Sequence, residues 1–268
     1  PNPWDVGSAH ALAALGFNLV YNSSHVINFA EGEFIMLGGM LSVFFNGLGL
    51  HWGIAFVLAI LCTALIGVLL VKLTIEPARN ADVIGLIIIT IGASLVIRGL
   101  VEIWLGKNPY TMPAFTSHPP LELLGARLQA QSLWVFGVTA IVMVALWYFF
   151  RHTLLGKGML ATSYNRVAAT LVGINTRWIL LLSFALSGAL GALAGILITP
   201  ITLTSYDVGV MLTLKGFVAA VLGGMGNNFG AVVGGLLVGV LEAMGAGYIS
   251  SAYKDAIPFI LILLILFF

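Results

Sequence analysis

GKGMLATSYNRVAATLVGINTRW, residues Gly156–Trp178, is the one long polar, purely cationic interruption in an otherwise almost continuously apolar chain. Lys157, Arg166 and Arg177 lie in it and Arg151 precedes it. No Asp or Glu stands between Arg151 and Arg177. Loops rich in Lys and Arg stay on the cytoplasmic side of membrane proteins. The same stretch reads as a short amphipathic helix. Leu160, Tyr164, Val167 or Ala168, and Leu171 recur at three- and four-residue spacing, with Thr162, Ser163, Asn165, Arg166 and Thr170 on the other side. A cytoplasmic amphipathic helix in a many-span protein is built to dock onto a cytosolic partner.

Composition fixes the class around that stretch. The chain is 60% hydrophobic and 8% charged, with a mean hydropathy of +1.09, where a soluble domain carries about 25% charged residues. The expected fold is all-α, a polytopic transmembrane helical bundle, and a soluble globular protein is excluded. The net charge of +1 says little about partners, and nothing points to nucleic acid. Cys62 is the lone cysteine, so no intrachain disulfide forms, and it reads as a small buried hydrophobe. No secretory signal peptide is evident, and both ends read as trimmed, since the chain opens at Pro1 and stops inside an apolar run.

Apolar runs between polar breaks give candidate spans. They are Val6–Ile27, Phe29–Leu48, Trp52–Leu73, Val83–Leu105, Leu133–Phe150, Trp178–Ile198, Val208–Leu222, Gly230–Ile249 and a final segment from Ala256. That is about eight or nine spans within one transmembrane domain, residues 1–268. Phe29–Leu48 and Val208–Leu222 read as half-spans or broken helices. Lys72 and Arg79 put the Lys72–Asp82 loop on the same cytoplasmic face as the loop at about 152–177, two spans away. The loop at about 106–132 is then extracytoplasmic, the N-terminus outside and the C-terminus inside. Pro109, Pro113, Pro119 and Pro120 make that outer loop ordered but non-helical.

Small residues dominate the packing positions. Ser187, Gly191 and Gly195 form a small-xxx-small row, and Gly230 with Gly234, and Gly235 with Gly239, repeat it. In lipid such rows let helix backbones approach closely. Gly223–Gly230, GGMGNNFG, reads as a tight turn between packed helices, because a phosphate cradle would need Lys and Ser or Thr.

No catalytic centre is legible. The chain has no Gly-x-x-x-x-Gly-Lys-Ser/Thr, and His10, His25, His51, His118 and His152 lack metal-ligand spacing. Intramembrane ionisable groups are the candidates that remain. Asn28, Glu31, Gly32 and Glu33 stand between two apolar runs. One reading makes Asn28 an N-cap, with Glu31 completing a capping box at the membrane surface. The other places the segment and its charges beside a translocation path. Arg98 and Glu102, four apart, read as a local ion pair. Lys215 snorkels or pairs with Asp207 or Glu242. Lys254 and Asp255 read as an interfacial anchor.

Three stretches carry a family resemblance. VINFAEGEFIMLGG, Val26–Gly39, GKGMLATSYNRVAATLVGIN, Gly156–Asn175, and LKGFVAAVLGGMGNNFGAVVGGLLVGVLE, Leu214–Glu242, are similar to signatures of the Liv-type permeases of bacterial ABC importers. Tyr253-Lys254-Asp255 also fits, and Glu31 stands where the family more often has His. The resemblance implies that the cytoplasmic loop is a coupling helix seated in a groove of an ATP-hydrolysing subunit. Ala168, Ala169 and Gly173 match the Glu-Ala-Ala…Gly pattern of importer permeases, while Val167 replaces its Glu. It also implies partners: two ATP-binding-cassette subunits holding ATP and Mg, a second, homologous permease and an extracytoplasmic substrate-binding protein. This chain itself would bind no cofactor or metal. Implied substrates run from leucine, isoleucine and valine to urea, amides and small carboxylates.

An ion-coupled secondary transporter or channel is the alternative, and an assembly protein without transport is a third. An ion-coupled carrier needs several intramembrane acids facing one cavity. By sequence such acids are expected to be few and mostly near helix ends.

Overall fold

The computed structural model describes residues 3–78, 81–116, 121–123, 126–128, 130–248 and 255–267. Arg79, His118, Pro119, Pro120, Tyr253 and Lys254 fall outside them. Each apolar run is helical, as a chain in lipid requires, because a helix satisfies every backbone polar group within its own segment. The helices are α1 (Pro3–Ser24), α2 (Glu31–Gly47), α3 (Trp52–Leu70), α4 (Val83–Leu105) and α5 (Ala130–His152). They continue with α6 (Leu154–Tyr164), α7 (Arg166–Leu171), α8 (Thr176–Thr202), α9 (Val208–Leu222), α10 (Asn228–Tyr248) and α11 (Ile257–Phe267). A π-helical turn, Val71–Ile75, extends α3. Five of these helices are long and apolar enough to cross a membrane among the described residues: α3 with its extension, α4, α5, α8 and α10. The chain is a multi-pass membrane protein.

Polar breaks place the helix starts. His51, Asp82, Thr153 and Asn175 each accept a backbone N–H from the first turn of α3, α4, α6 and α8. A short antiparallel hairpin, β1 (Leu121–Leu123) with β2 (Ala126–Leu128), lies in the loop before α5. Tyr110 of that loop pairs with Thr204 just beyond α8. At the other end of α8, Arg177 grips Glu76 with two hydrogen bonds of 2.5 and 2.6 Å. So α8 runs from an end that carries α6 and α7 to an end that carries the hairpin.

α1 and α8 form the centre: the described side chains of α1 are almost wholly buried, and α8 is buried over its middle and later turns. Their neighbours approach over glycines. A Cβ on Gly191 would stand 2.7 Å from that of Phe34 in α2, and one on Gly195 would overlap Ile35. Gly67 of α3 meets the Phe184 carbonyl of α8, and Gly188 of α8 meets Thr63 of α3. Gly235 of α10 lies on Ala11 of α1. Gly230 and Gly234 meet Gly223 and Ala219 across the tight turn from α9 to α10. In that turn Gly224 and Gly226 adopt φ of 83° and 95°, which L side chains resist. Asn18 and Asn22 of α1 secure it through hydrogen bonds to Gly226 and Asn227. Outside this core, α3, α4 and α5 turn rows of large apolar residues outward, among them Leu61, Leu65, Ile88, Leu95, Ile141 and Val144.

Two sequence expectations fail at this level. Arg98 does not pair with Glu102. It reaches Glu33 of α2 at 3.6 Å, and Glu102 takes Lys107 at 2.9 Å. That hydrogen bond raises the Lys107 pKa above its ordinary value. A fully buried carboxylate demanded the arginine more than a half-buried one did. The Gly156–Asn175 stretch is also two helices, not one. It breaks at Asn165, which caps α7 by accepting the Ala168 N–H at 2.9 Å.

Candidate functional site: a cavity, a buried junction and an exposed helix end

A cavity of about 740 Å³ opens among α1, α2, α8, α9 and α10, towards the hairpin end. Val6, Ile35, Met211, Leu212 and Val240 make its apolar walls, and Thr199, Thr202, Thr204, Ser205 and Asp207 its polar rim. Lys215, Glu242 and His10 also line it. These three form one cluster. Lys215 Nζ donates to Glu242 Oε1 at 2.6 Å and to Asp255 Oδ1 at 2.6 Å. His10 Nε2 stands 3.1 Å from Glu242 Oε2. The groups come from α1, α9, α10 and the turn before α11, so folding brings them together from across the chain. Of the two partners weighed for Lys215, Glu242 is the one found. Asp207 instead accepts from Ser205 at 2.5 Å. Asp255 is no interfacial anchor, since its carboxylate is turned onto Lys215.

A second polar junction lies where the two short helices begin. α2 has 17 residues and α9 has 15, below the roughly 20 that span a bilayer. Their N-termini meet inside the bundle. Gly32 N donates to Thr213 Oγ1 at 2.9 Å, and the Gly32 backbone lies against Gly209. Ser187 Oγ donates to Glu31, whose carboxylate rests against Gly16. Ser94 Oγ donates to Glu33 Oε1 at 2.9 Å, beside Arg98. Acids at helix N-termini also oppose the positive ends of the helix dipoles. Glu31 and Glu33 are both fully buried.

This geometry replaces the surface capping box. Asn28 Oδ1 accepts from Ala30 N at 3.1 Å in a tight turn, and α2 starts at Glu31 with no side-chain cap. Glu31 is spent on α8 rather than on the chain before it. Asn28, Glu31, Gly32 and Glu33 do not line the large cavity, whereas Lys215 does. The expectation of few, peripheral acids is also revised, since Glu31, Glu33 and Glu242 are buried. His10 is a member of the site that residue spacing does not reveal. Its signal was a lone imidazole in an apolar helix.

The third feature is the α6–α7 end. Tyr164, Arg166, Val167, Ala168 and Leu171 are exposed, as is Val172. Ala169 is buried, Leu160 packs partly into the bundle and Thr162 is buried with its hydroxyl on the Gly158 carbonyl. The expected division into an apolar and a polar side is found in neither helix: in α6 Leu160 and Thr162 both turn inward while Tyr164 is exposed, and in α7 Arg166 and Thr170 are exposed together with Val167 and Leu171. Gly173, at φ 90°, turns the chain towards α8.

Against known proteins, residues 6–266 match the family model described as branched-chain amino acid transport system / permease component. The chain belongs to this permease family. The permease is 32% identical to the high-affinity branched-chain amino acid transport system permease protein LivH of Salmonella typhimurium, over 97% of this chain and 89% of the relative. It is 31% identical to BraD, a protein of the same description from Pseudomonas aeruginosa, over 100% and 92%. The ribose import permease protein RbsC of Escherichia coli is 26% identical, over 96% and 81%. Among solved structures, a chain of PsaBC from Streptococcus pneumoniae in complex with Fab shares the fold. The TM-score is 0.54 at 15% identity, covering 100% of this chain and 90% of that one.

Proposed function

We propose that this chain is the membrane-embedded permease subunit of an ATP-driven importer in a bacterial inner (plasma) membrane. Its substrate is a branched-chain or other hydrophobic amino acid, or a related small solute such as urea, an amide or a small carboxylate. The observation that carries the reading is the outward face of α7. Val167, Leu171 and Val172 stay exposed among cationic residues at one end of the bundle. Apolar groups on a polar end need a partner to cover them. The partner in this reading is one of two ATP-binding-cassette subunits, which bind ATP and Mg while this chain binds neither. Residues at about 152–177 are then the cytoplasmic coupling element, with Leu160, Tyr164, Arg166, Ala168, Ala169, Leu171 and Gly173 in or beside the contact. The hairpin end, about 106–132, faces an extracytoplasmic binding protein, which delivers solute to the cavity. A second, homologous permease completes the assembly, and lipid covers α3, α4 and α5.

The three buried acids favour a second reading, ion-coupled transport. They are split between two clusters and only Glu242 lines the cavity, which weighs against one continuous ion path. Uptake into proteoliposomes separates the two. The importer needs ATP and its ATPase subunits, and keeps working after proton and sodium gradients collapse. Uptake driven by a gradient without ATP would overturn it.

A further inference from the structure

We propose that Lys215 is the residue of the cavity that recognises a solute's carboxylate, and that Asp255 is a built-in stand-in for that carboxylate when the cavity is empty. This rests on the transport reading above. An ammonium has three N–H donors, and two of those on Lys215 are taken, by Glu242 and Asp255. The two acceptors differ in kind. Glu242 is buried and held from its other side by His10. Asp255 has a side chain 42% exposed and, among the described residues, no second partner. It is therefore the carboxylate that can leave.

Exchange fits the energetics of a buried charge. Stripping a carboxylate of water is costly unless an opposite charge receives it. If the solute's carboxylate replaces that of Asp255, the charge and hydrogen-bond count at Lys215 are unchanged. Asp255, already half in water, returns to it. The cluster holds one ammonium against two carboxylates, so no spare positive charge waits in the empty cavity to trap a passing anion. His10 adds a second contact. With Nε2 donating to Glu242, the neutral ring leaves Nδ1 as an acceptor. That atom is buried without a partner and its ring lines the cavity. It suits an N–H or O–H donor beside the solute's carboxylate. Apolar walls take an aliphatic remainder. A neutral sugar or urea would leave Asp255 in place.

The test measures binding to the intact transporter in lipid nanodiscs without ATP, so coupling to hydrolysis does not enter. The probes are L-leucine, 4-methylpentanoate, which keeps the carboxylate but lacks the amine, and L-leucinamide, which lacks the carboxylate. Thermal unfolding midpoints against probe concentration give apparent affinities. A stand-in that occupies Lys215 about nine-tenths of the time weakens binding about tenfold. Asp255→Asn is therefore expected to tighten both carboxylates about tenfold and to leave L-leucinamide unchanged. Lys215→Gln combined with Glu242→Gln, which leaves no buried charge unpaired, is expected to abolish the difference between L-leucine and its amide. Equal affinity of the parent protein for the two, unchanged carboxylate affinity in Asp255→Asn, or no binding of either carboxylate would each overturn the proposal. ATP-independent uptake would sink the importer reading without touching these affinities.

Discussion

Lys215 shows how strongly one side chain depends on residues far from it in sequence. Lys215→Met would leave Glu242 buried against Asp255 with no cation between them, a loss expected to cost about 3–5 kcal/mol. Adding Glu242→Leu removes the orphaned charge and should recover most of that loss. Thermal melts of the purified single and double variants measure this, and equal melting points would show that unpaired charge is not the cause. Glu31 differs, because it faces protein and not the cavity. Glu31→Gln retains an oxygen to accept from Ser187, so uptake should stay near normal. Glu31→Leu strands the Ser187 hydroxyl and should destabilise by about 1–3 kcal/mol. A sharp loss of uptake by the Gln variant with an unchanged melt would put the charge in the path after all. The sequence marked both residues as abnormal, since ionisable groups in apolar surroundings announce a partner. It did not name the partner. Ser187 lies 156 residues beyond Glu31, and spacing rules reach only along one helix.

Helices were the most legible level, because an apolar run of bilayer length has few other ways to satisfy its backbone. Trp52–Leu73 and Val83–Leu105 read directly into α3 and α4. The short lengths of α2 and α9 were visible too, but not that their first turns would meet. Periodicity puts Asn165 on a polar helix face, whereas it ends one helix and caps the next. That break rests on one residue's extended backbone, φ −158° and ψ 104° at Asn165, which residue periodicity does not record. Glycine rows pointed to close approach, and the structure supplies the faces. Gly191→Leu would drive a branched side chain into Phe34, where α2 and α8 meet. Overpacking of this kind costs about 1–3 kcal/mol or more, and here the surrounding backbone has little room to move. The expected result is poor recovery of folded protein on size-exclusion chromatography. A stable, active Gly191→Leu protein would mean that α2 and α8 can separate without harm.

For the molecule as a whole, the contrast between α1 and the outer helices governs behaviour. The outward face of α7 belongs to this scale, because the proposed docking there would have to act across the bundle. Leu171→Asp places a charge on an exposed site, so the fold should melt as before. Uptake should fall by about tenfold or more while the ATPase subunits keep hydrolysing ATP. Normal uptake by Leu171→Asp would remove the docking role from α7. Class and span order were readable from composition. The cavity was not, because its walls come from five helices whose mutual rotation no single segment encodes. α1 carries His10, Asn18 and Asn22, all buried in the folded protein, and their partners lie on α10 and in the turn before it. During synthesis α1 therefore leaves the ribosome with its polar face bare and waits for more than two hundred residues before cover arrives. Lipid offers those groups nothing in the meantime. Nascent chains cut short after α9 would be clients for membrane proteases, because α1 settles only once α10 has been made.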